Sequence, residues 1–180
     1  MLIVFTGNGK GKTTAALGQA LRSVGRGKRV LMVQFIKGPW KSGEDFIEII
    51  RTDDPEKRRD NRFKIVKKGL GFVGILGDTL PREKHAEAAR EALRYAREEI
   101  GKEEWGLIIL DEVNVAVSLG LLTAEEVLAA VKDLPPEKFV IFTGRGAPQE
   151  FIDRADLVTE MKEIKHPFND GKLAKIAIEF

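Results

Sequence analysis

Leu2-Ile3-Val4-Phe5-Thr6-Gly7-Asn8-Gly9-Lys10-Gly11-Lys12-Thr13-Thr14 opens the chain, and its reading decides the fold. Leu2 to Thr6 is a short apolar, β-branched run of the kind that forms a strand buried on both faces. From Thr13 to Gly25 the apolar residues Ala16, Leu17, Ala20, Leu21 and Val24 recur on one helical face, and Gly25 and Gly27 give a stop signal. The glycine-rich turn therefore joins a strand to a helix, the setting a phosphate-binding loop requires. Backbone N–H groups can close around phosphate oxygens only where side chains are absent, and the helix start adds partial positive charge. Gly7, Asn8, Gly9, Lys10, Gly11, Lys12, Thr13 and Thr14 are the candidate nucleotide-binding residues. Lys12 supplies a mobile full charge, and the Thr13 hydroxyl is placed to ligate Mg²⁺. The usual pattern G-x-x-x-x-G-K-[ST] departs at its first position, where Thr6 stands.

Working outward, three more apolar runs read as buried strands: 29–35 (RVLMVQF), 107–110 (LIIL) and 139–142 (FVIF). Weaker candidates are 62–66 and 157–161, and 172–180 alternates partly and reads as a late strand. Helical patterns lie between them. The longest spans 81–100, with Ala86, Ala89, Leu93, Ala96 and Ile100 on one face and charge elsewhere; His85 reads as a surface residue of it. Thr123 and Glu126 form a capping box opening a helix to about Leu134, and 149–155 reads as a short last helix. Strands alternating with helices predict an α/β fold, a P-loop NTPase-like three-layer α/β/α arrangement with a mainly parallel central sheet. Residues 1–180 read as one domain, with the least regular connection at 36–81.

Composition narrows the class. With 43% hydrophobic and 32% charged residues the chain is globular rather than disordered. No cysteine is present, so neither a disulfide framework nor a thiolate nucleophile is available. No run reaches a membrane-spanning length and the N-terminal apolar run is too short for a signal peptide, so the chain reads as cytoplasmic, without a membrane partner. A net charge of +2 gives no field that predicts a nucleic-acid partner. The locally basic stretch 57–68 reads as a solvated loop and strand, because only Phe63 interleaves it.

Two further strand ends carry chemistry. The run 107–110 ends in Asp111 and Glu112, where a P-loop protein keeps the acid of its Mg²⁺ shell; the same pair could instead cap a helix starting near Val113. The run 139–142 is followed by Thr143-Gly144-Arg145-Gly146. Arg145 either pairs with phosphate oxygens or is an ordinary turn arginine.

The loop, Val33-Gln34-Phe35-Ile36-Lys37-Gly38 with Trp40, Gly43 and Glu44, Leu110-Asp111-Glu112, Thr143 to Gly146, 155–161 and Lys165-His166-Pro167-Phe168 together resemble the P-loop type of ATP:corrinoid (cob(I)alamin) adenosyltransferases, nearly along the whole chain and in the family's order. That family's loop also lacks the first consensus glycine. The resemblance implies a transferase that moves the 5′-deoxyadenosyl group of ATP to the Co(I) of a corrinoid with release of triphosphate, in cobalamin biosynthesis or salvage. It implies ATP as co-substrate, Mg²⁺, an electron donor that reduces cobalt, and a homodimer. Lys12 would act on the leaving triphosphate, and Phe72, in Gly71-Phe72-Val73-Gly74, would press on the corrin as the family's aromatic wedge does. Gly74 stands where the family often has tryptophan. Trp40 either lines the pocket or pins its loop, and His166 is a further candidate for lining the corrinoid site. Longer members carry a segment before the first strand. From the residues alone, a P-loop ATPase stimulated by nucleic acid, a small-molecule kinase and a non-catalytic carrier remain open.

Overall fold

Every run that reads as a strand before residue 161 becomes one, the central ones covered on both faces and the last, Leu157–Glu160, exposed along its length at a sheet edge. The computed structural model describes residues 1–38, 40–50, 60–75, 77–167, 171, 173, 175 and 178. Its strands are β1 (Leu2–Thr6), β2 (Val30–Gln34), β3 (Phe63–Lys67), β4 (Leu107–Asp111), β5 (Phe139–Thr143) and β6 (Leu157–Glu160). They form one parallel sheet in the order β3-β2-β4-β5-β1-β6. The late strand expected at 172–180 falls largely outside the described residues, as do Lys57, Arg58 and Arg59 of the basic stretch.

Successive side chains leave a strand on opposite faces, and here the two sets enter two separate cores. On one face Val30, Met32, Leu107, Ile109 and Ile141 pack against Ala16, Ala20 and Val24 of α1 (Lys12–Gly25). On the other, Leu31, Val33, Ile108, Leu110, Val140 and Phe142 meet α2 (Arg82–Ile100), α3 (Val113–Ser118), α4 (Ala124–Ala130) and α5 (Gln149–Arg154). This is the expected three-layer α/β/α arrangement. The helix after β1 covers one face and the helices after β4 and β5 cover the other, so a crevice opens at the carboxyl ends of β1, β5 and β4.

Some local expectations change. His85 is buried, not on the surface. Its Nε2 lies 3.0 Å from Asp78 Oδ2, and Asp78 also accepts from the backbone N–H groups of Gly74 and Leu80. A carboxylate brought in by the preceding loop gives the ring nitrogen a partner, so the imidazole can join the covered face of α2. The helix opened by Thr123 ends at Ala130, short of Leu134, and a turn follows it. Arg62 and Lys68 of the basic stretch pair with Asp60 and Glu91. Trp105 packs as a core residue, donating from Nε1 to Glu99 Oε2 at 2.6 Å. Among the described residues no helix is long and apolar enough to cross a membrane.

The capping box at Thr123 is complete: Glu126 N–H donates to Thr123 Oγ1 at 3.1 Å, and Thr123 N–H donates to Glu126 Oε2 at 2.7 Å. Substituting Thr123→Ala is expected to cost about 1 kcal/mol, seen in thermal denaturation as a Tm lower by about 2–4 °C for a chain of this size.

Candidate active site

The loop between β1 and α1 is shaped by backbone that only glycine adopts readily. Gly7 has φ +94° and Gly11, the residue capping α1, has φ +113°. No side chain caps α1 and no acid lies in its first turn. The first intrahelical bond in this turn runs from Ala15 N–H to Gly11 O at 2.7 Å, which leaves the N–H groups of residues 12–14 for a ligand.

The loop is braced from outside by the segment leaving β6. Gly9 N–H donates to Met161 O at 2.6 Å, and Met161 N–H donates to Thr6 O at 2.8 Å. A Cβ on Gly7 would lie 2.4 Å from Met161 O, and one on Gly9 would lie 2.7 Å from it. The glycines are therefore required by this close approach of the chain itself. Thr6, at the departing first position, uses Oγ1 to accept from Ala147 N–H at 3.2 Å, tying the loop's base to the chain beyond β5.

Lys12 is buried and donates from Nζ to Gly7 O at 2.8 Å and Gly9 O at 2.6 Å. Burial lowers its pKa, the carboxylate of Glu112 opposes that, and the charge of Arg145 adds to it. The ammonium thus rests on its own loop, and incoming phosphate oxygens would offer it a stronger, charged partner.

Beside it, Asp111 ends β4 and is fully buried. Its Oδ1 accepts from Thr13 Oγ1 and from Thr143 Oγ1, each at 2.8 Å. Its Oδ2 accepts from Gln34 Nε2 at 3.1 Å and lies 3.6 Å from Lys37 Nζ. Sheet register brings this about, since Gln34 pairs with Asp111 across β2 and β4, and Thr143 ends the strand beside β1. Glu112 follows in the left-handed region at φ +63°, unusual for a residue with a side chain. Its backbone N–H donates to Thr143 Oγ1 at 2.9 Å. Burial, and then the charge of Asp111, push the Glu112 carboxyl up to about 7, against the pull of Lys12, Lys37 and Arg145. Gly144, at φ +130°, makes room for it: a Cβ there would lie 3.1 Å from Glu112 Oε2. Asn114 donates from Nδ2 to Phe5 O and Gly144 O, joining α3 to the ends of β1 and β5. Arg145 is exposed, and its charge acts on both Lys12 and Glu112.

A second group lies beyond β2. The rings of Trp40 and Phe72 are 5.9 Å apart and tilted by 32°, and both are exposed. Trp40 lies over two glycines: a Cβ on Gly38 or Gly71 would come within 2.8 Å of its ring. Gly74 has φ +70° with open space around its Cα, a backbone that a tryptophan would rarely adopt. His166 is half-buried and follows β6, which three strands separate from β2 in the sheet. Phe168 lies outside the described residues.

The structure thus brings Lys12, Thr13, Asp111, Glu112 and Arg145 to one crevice and joins Trp40 to Phe72. Sequence reasoning missed the roles of Gln34, Lys37, Glu44, Thr143, Asn114 and Met161. Gln34 and Thr143 had a legible signal, each being a polar residue closing an apolar strand; the contacts of Met161 come from tertiary packing alone.

The family described as ATP:corrinoid adenosyltransferase BtuR/CobO/CobP matches residues 1–180. A corrinoid adenosyltransferase of Escherichia coli (strain K12) is 38% identical over 180 residues, covering 100% of this chain and 85% of that protein. The corrinoid adenosyltransferase CobA of Salmonella typhimurium is 36% identical, with the same coverage of 100% and 85%. A corrinoid adenosyltransferase of Pseudomonas aeruginosa is 36% identical, over 100% of this chain and 83% of its own.

The raised Glu112 carboxyl has a consequence for the ligand-free protein. Its folded pKa of about 7 lies above the unfolded value, so the folded state binds the extra proton between the two. The associated stability is complete below the unfolded value and is lost as pH rises through about 7. Glu112→Gln is expected to remove this term, so that urea midpoints of wild type, relative to the variant, decline from pH 4.5 to pH 7.5; parallel profiles would refute it.

Proposed function

Because the chain belongs to the ATP:corrinoid adenosyltransferase BtuR/CobO/CobP family, we propose a division of labour among its residues for that reaction. The enzyme transfers the 5′-deoxyadenosyl group of ATP to the Co(I) of a corrinoid. The cobalt electron pair forms the Co–C5′ bond, the C5′–O bond breaks, and triphosphate leaves with its pair. Cobalt ends two electrons more oxidised, so a separate electron donor must supply Co(I).

No protein nucleophile is required, and the absence of cysteine is no obstacle. The protein's task is to accept charge on the departing oxygen and to hold carbon and cobalt in line. Gly7 to Thr14 bind the triphosphate. Lys12 exchanges its loop carbonyls for phosphate oxygens, and the free N–H groups at the start of α1 add their dipole. Arg145 reaches the phosphates from the end of β5. The observation that carries this reading is the Thr13 hydroxyl resting on Asp111 beside Lys12, at a helix end with no cap of its own.

The same residues fit Mg²⁺. This ion favours few protein oxygens together with phosphates and waters. Thr13 offers a hydroxyl, and Glu112 is a carboxylate whose ionisation its buried surroundings disfavour until a cation arrives. Asp111 already accepts from Thr13, Thr143 and Gln34, which suits it to orient Thr13 and a bound water rather than to ligate directly. Bound there, the ion would neutralise charge on the triphosphate.

Trp40 and Phe72 present the apolar face for the corrin ring. With Gly74 offering no side chain to the segment after Phe72, Trp40 supplies the second aromatic beside Phe72. His166 is assigned a lining role only. The working unit is taken to be a homodimer, so the purified protein should sediment at about twice the 20.0 kDa chain mass; sedimentation at the chain mass would remove the dimer from this account.

The deciding experiment incubates the protein with ATP, Mg²⁺ and chemically reduced cob(I)alamin without oxygen. Light-sensitive adenosylcobalamin and intact triphosphate are expected, and Lys12→Ala should lower the rate by about 100-fold or more, as loss of a group that stabilises transition-state charge does. ADP or phosphate without adenosylation would point instead to kinase or ATPase chemistry.

A further inference from the structure

The carboxylate beside the phosphate loop and the aromatic loop are joined by two sets of polar contacts that meet on one short turn. Gln34 closes β2 with its side chain fully buried. Its amide nitrogen is shared between Asp111 Oδ2, at 3.1 Å, and Glu44 Oε1, at 3.3 Å. Lys37 pairs with the same Glu44 oxygen. Glu44 sits on a short 3-10 turn, Gly43–Phe46, whose start is closed by Ser42 and Asp45. Asp45 in turn holds Lys67 Nζ at 2.5 Å, and that ammonium donates to the backbone carbonyl of Trp40 at 2.7 Å. Trp40 then lies on Gly38 and Gly71 and faces Phe72.

The ionic state of this relay is well defined. Burial disfavours charge on Glu44, but its hydrogen bond from Lys37 and neighbouring donors bring its pKa down to about 2. Lys37 is likewise held charged against burial by Asp111 and Glu44. Its ammonium touches one carboxylate and stands 3.6 Å from the other. Two carboxylates thus attract one cation, and a change of charge at either alters its balance between them. The divalent cation of MgATP, seated beside Thr13 and Asp111 with the phosphates turned to Lys12 and the loop, would weaken the pull of Asp111 on Lys37. The ammonium then belongs to Glu44 alone, and the turn that carries Asp45, and through it Lys67 and Trp40, is held more firmly.

We propose that Gln34, Lys37 and Glu44 are positioning residues that couple occupation of the nucleotide site to corrinoid binding at the Trp40–Phe72 pair, so that MgATP strengthens the grip on the corrinoid. This rests on the adenosyltransferase reading above. Coupling between sites is commonly worth fivefold or more in affinity, and it is reciprocal.

The test measures cob(II)alamin affinity by anaerobic equilibrium dialysis, with and without MgATP. No reductant is present, so no transfer occurs. In the wild type MgATP should tighten cob(II)alamin binding by about fivefold or more. In Glu44→Gln and in Lys37→Met the ratio should fall to near one while MgATP binding itself changes little, and Lys37→Arg should retain the wild-type ratio. A lost capping contact or a merely loosened loop would lower both affinities and leave the ratio intact. The proposal is overturned if both variants keep the wild-type ratio, or if wild type that makes adenosylcobalamin shows no MgATP effect. Should Glu44→Gln fail to fold, Lys37→Met decides alone. Failure to make adenosylcobalamin at all would instead bring down the functional reading.

Discussion

The Asp111 carboxylate is the constraint on which the rest of the site depends. It is buried, and it accepts hydrogen bonds from Thr13, Thr143 and Gln34 with the ammonium of Lys37 nearby. Buried charge is tolerated only when its lone pairs are used in this way. Those partners come from α1, β5, β2 and the loop after β2. One desolvated carboxylate therefore fixes where the phosphate loop, two strand ends and the Lys37 loop sit relative to one another.

The neighbouring charges are arranged for a ligand. Lys12 makes do with neutral carbonyls of its own loop, burial and the charge of Asp111 push Glu112 towards its neutral form, and Arg145 is exposed. Each group gains on meeting a triphosphate and a cation, because full charges replace weak or repulsive partners. The reaction asks for little else from the protein, since cobalt itself is the nucleophile. The left-handed Glu112 backbone belongs to the same logic: strain at one residue turns its side chain back over Gly144 into the crevice.

The aromatic loop follows different physics. Trp40 and Phe72 stay exposed at 62% and 44%, a cost for a ligand-free protein that an apolar ring system would relieve. Gly38 and Gly71 admit the indole by lacking side chains, and Lys67 fixes the chain at Trp40 through its carbonyl. The loop is thereby connected to the nucleotide side by polar contacts as well as by Ile36 and Val73, which pack on the main core.

The sequence by itself determined the layers and marked the residues that gather at the loop between β1 and α1. Short apolar runs can be satisfied only between two helical layers, and a glycine-rich turn between strand and helix has one common use. Local pattern thus sufficed for the central strands and α1, and it singled out Lys12, Thr13 and Asp111, of which Thr13 and Asp111 meet in a hydrogen bond. Tertiary structure alone decided which polar side chains meet. His85 reads as a surface residue until Asp78 is brought to its ring by a loop seven residues upstream. Gln34, Lys37 and Glu44 stand in a stretch that carries the resemblance, but no role follows from it; Gln34 and Lys37 come to Asp111 because parallel pairing sets β2 beside β4 in a register that ends both strands together. Met161 reaches Gly9 only because β6 pairs with β1 from the far end of the chain. Periodicity and loop chemistry are local and legible, whereas register between distant strands is a property of the folded sheet.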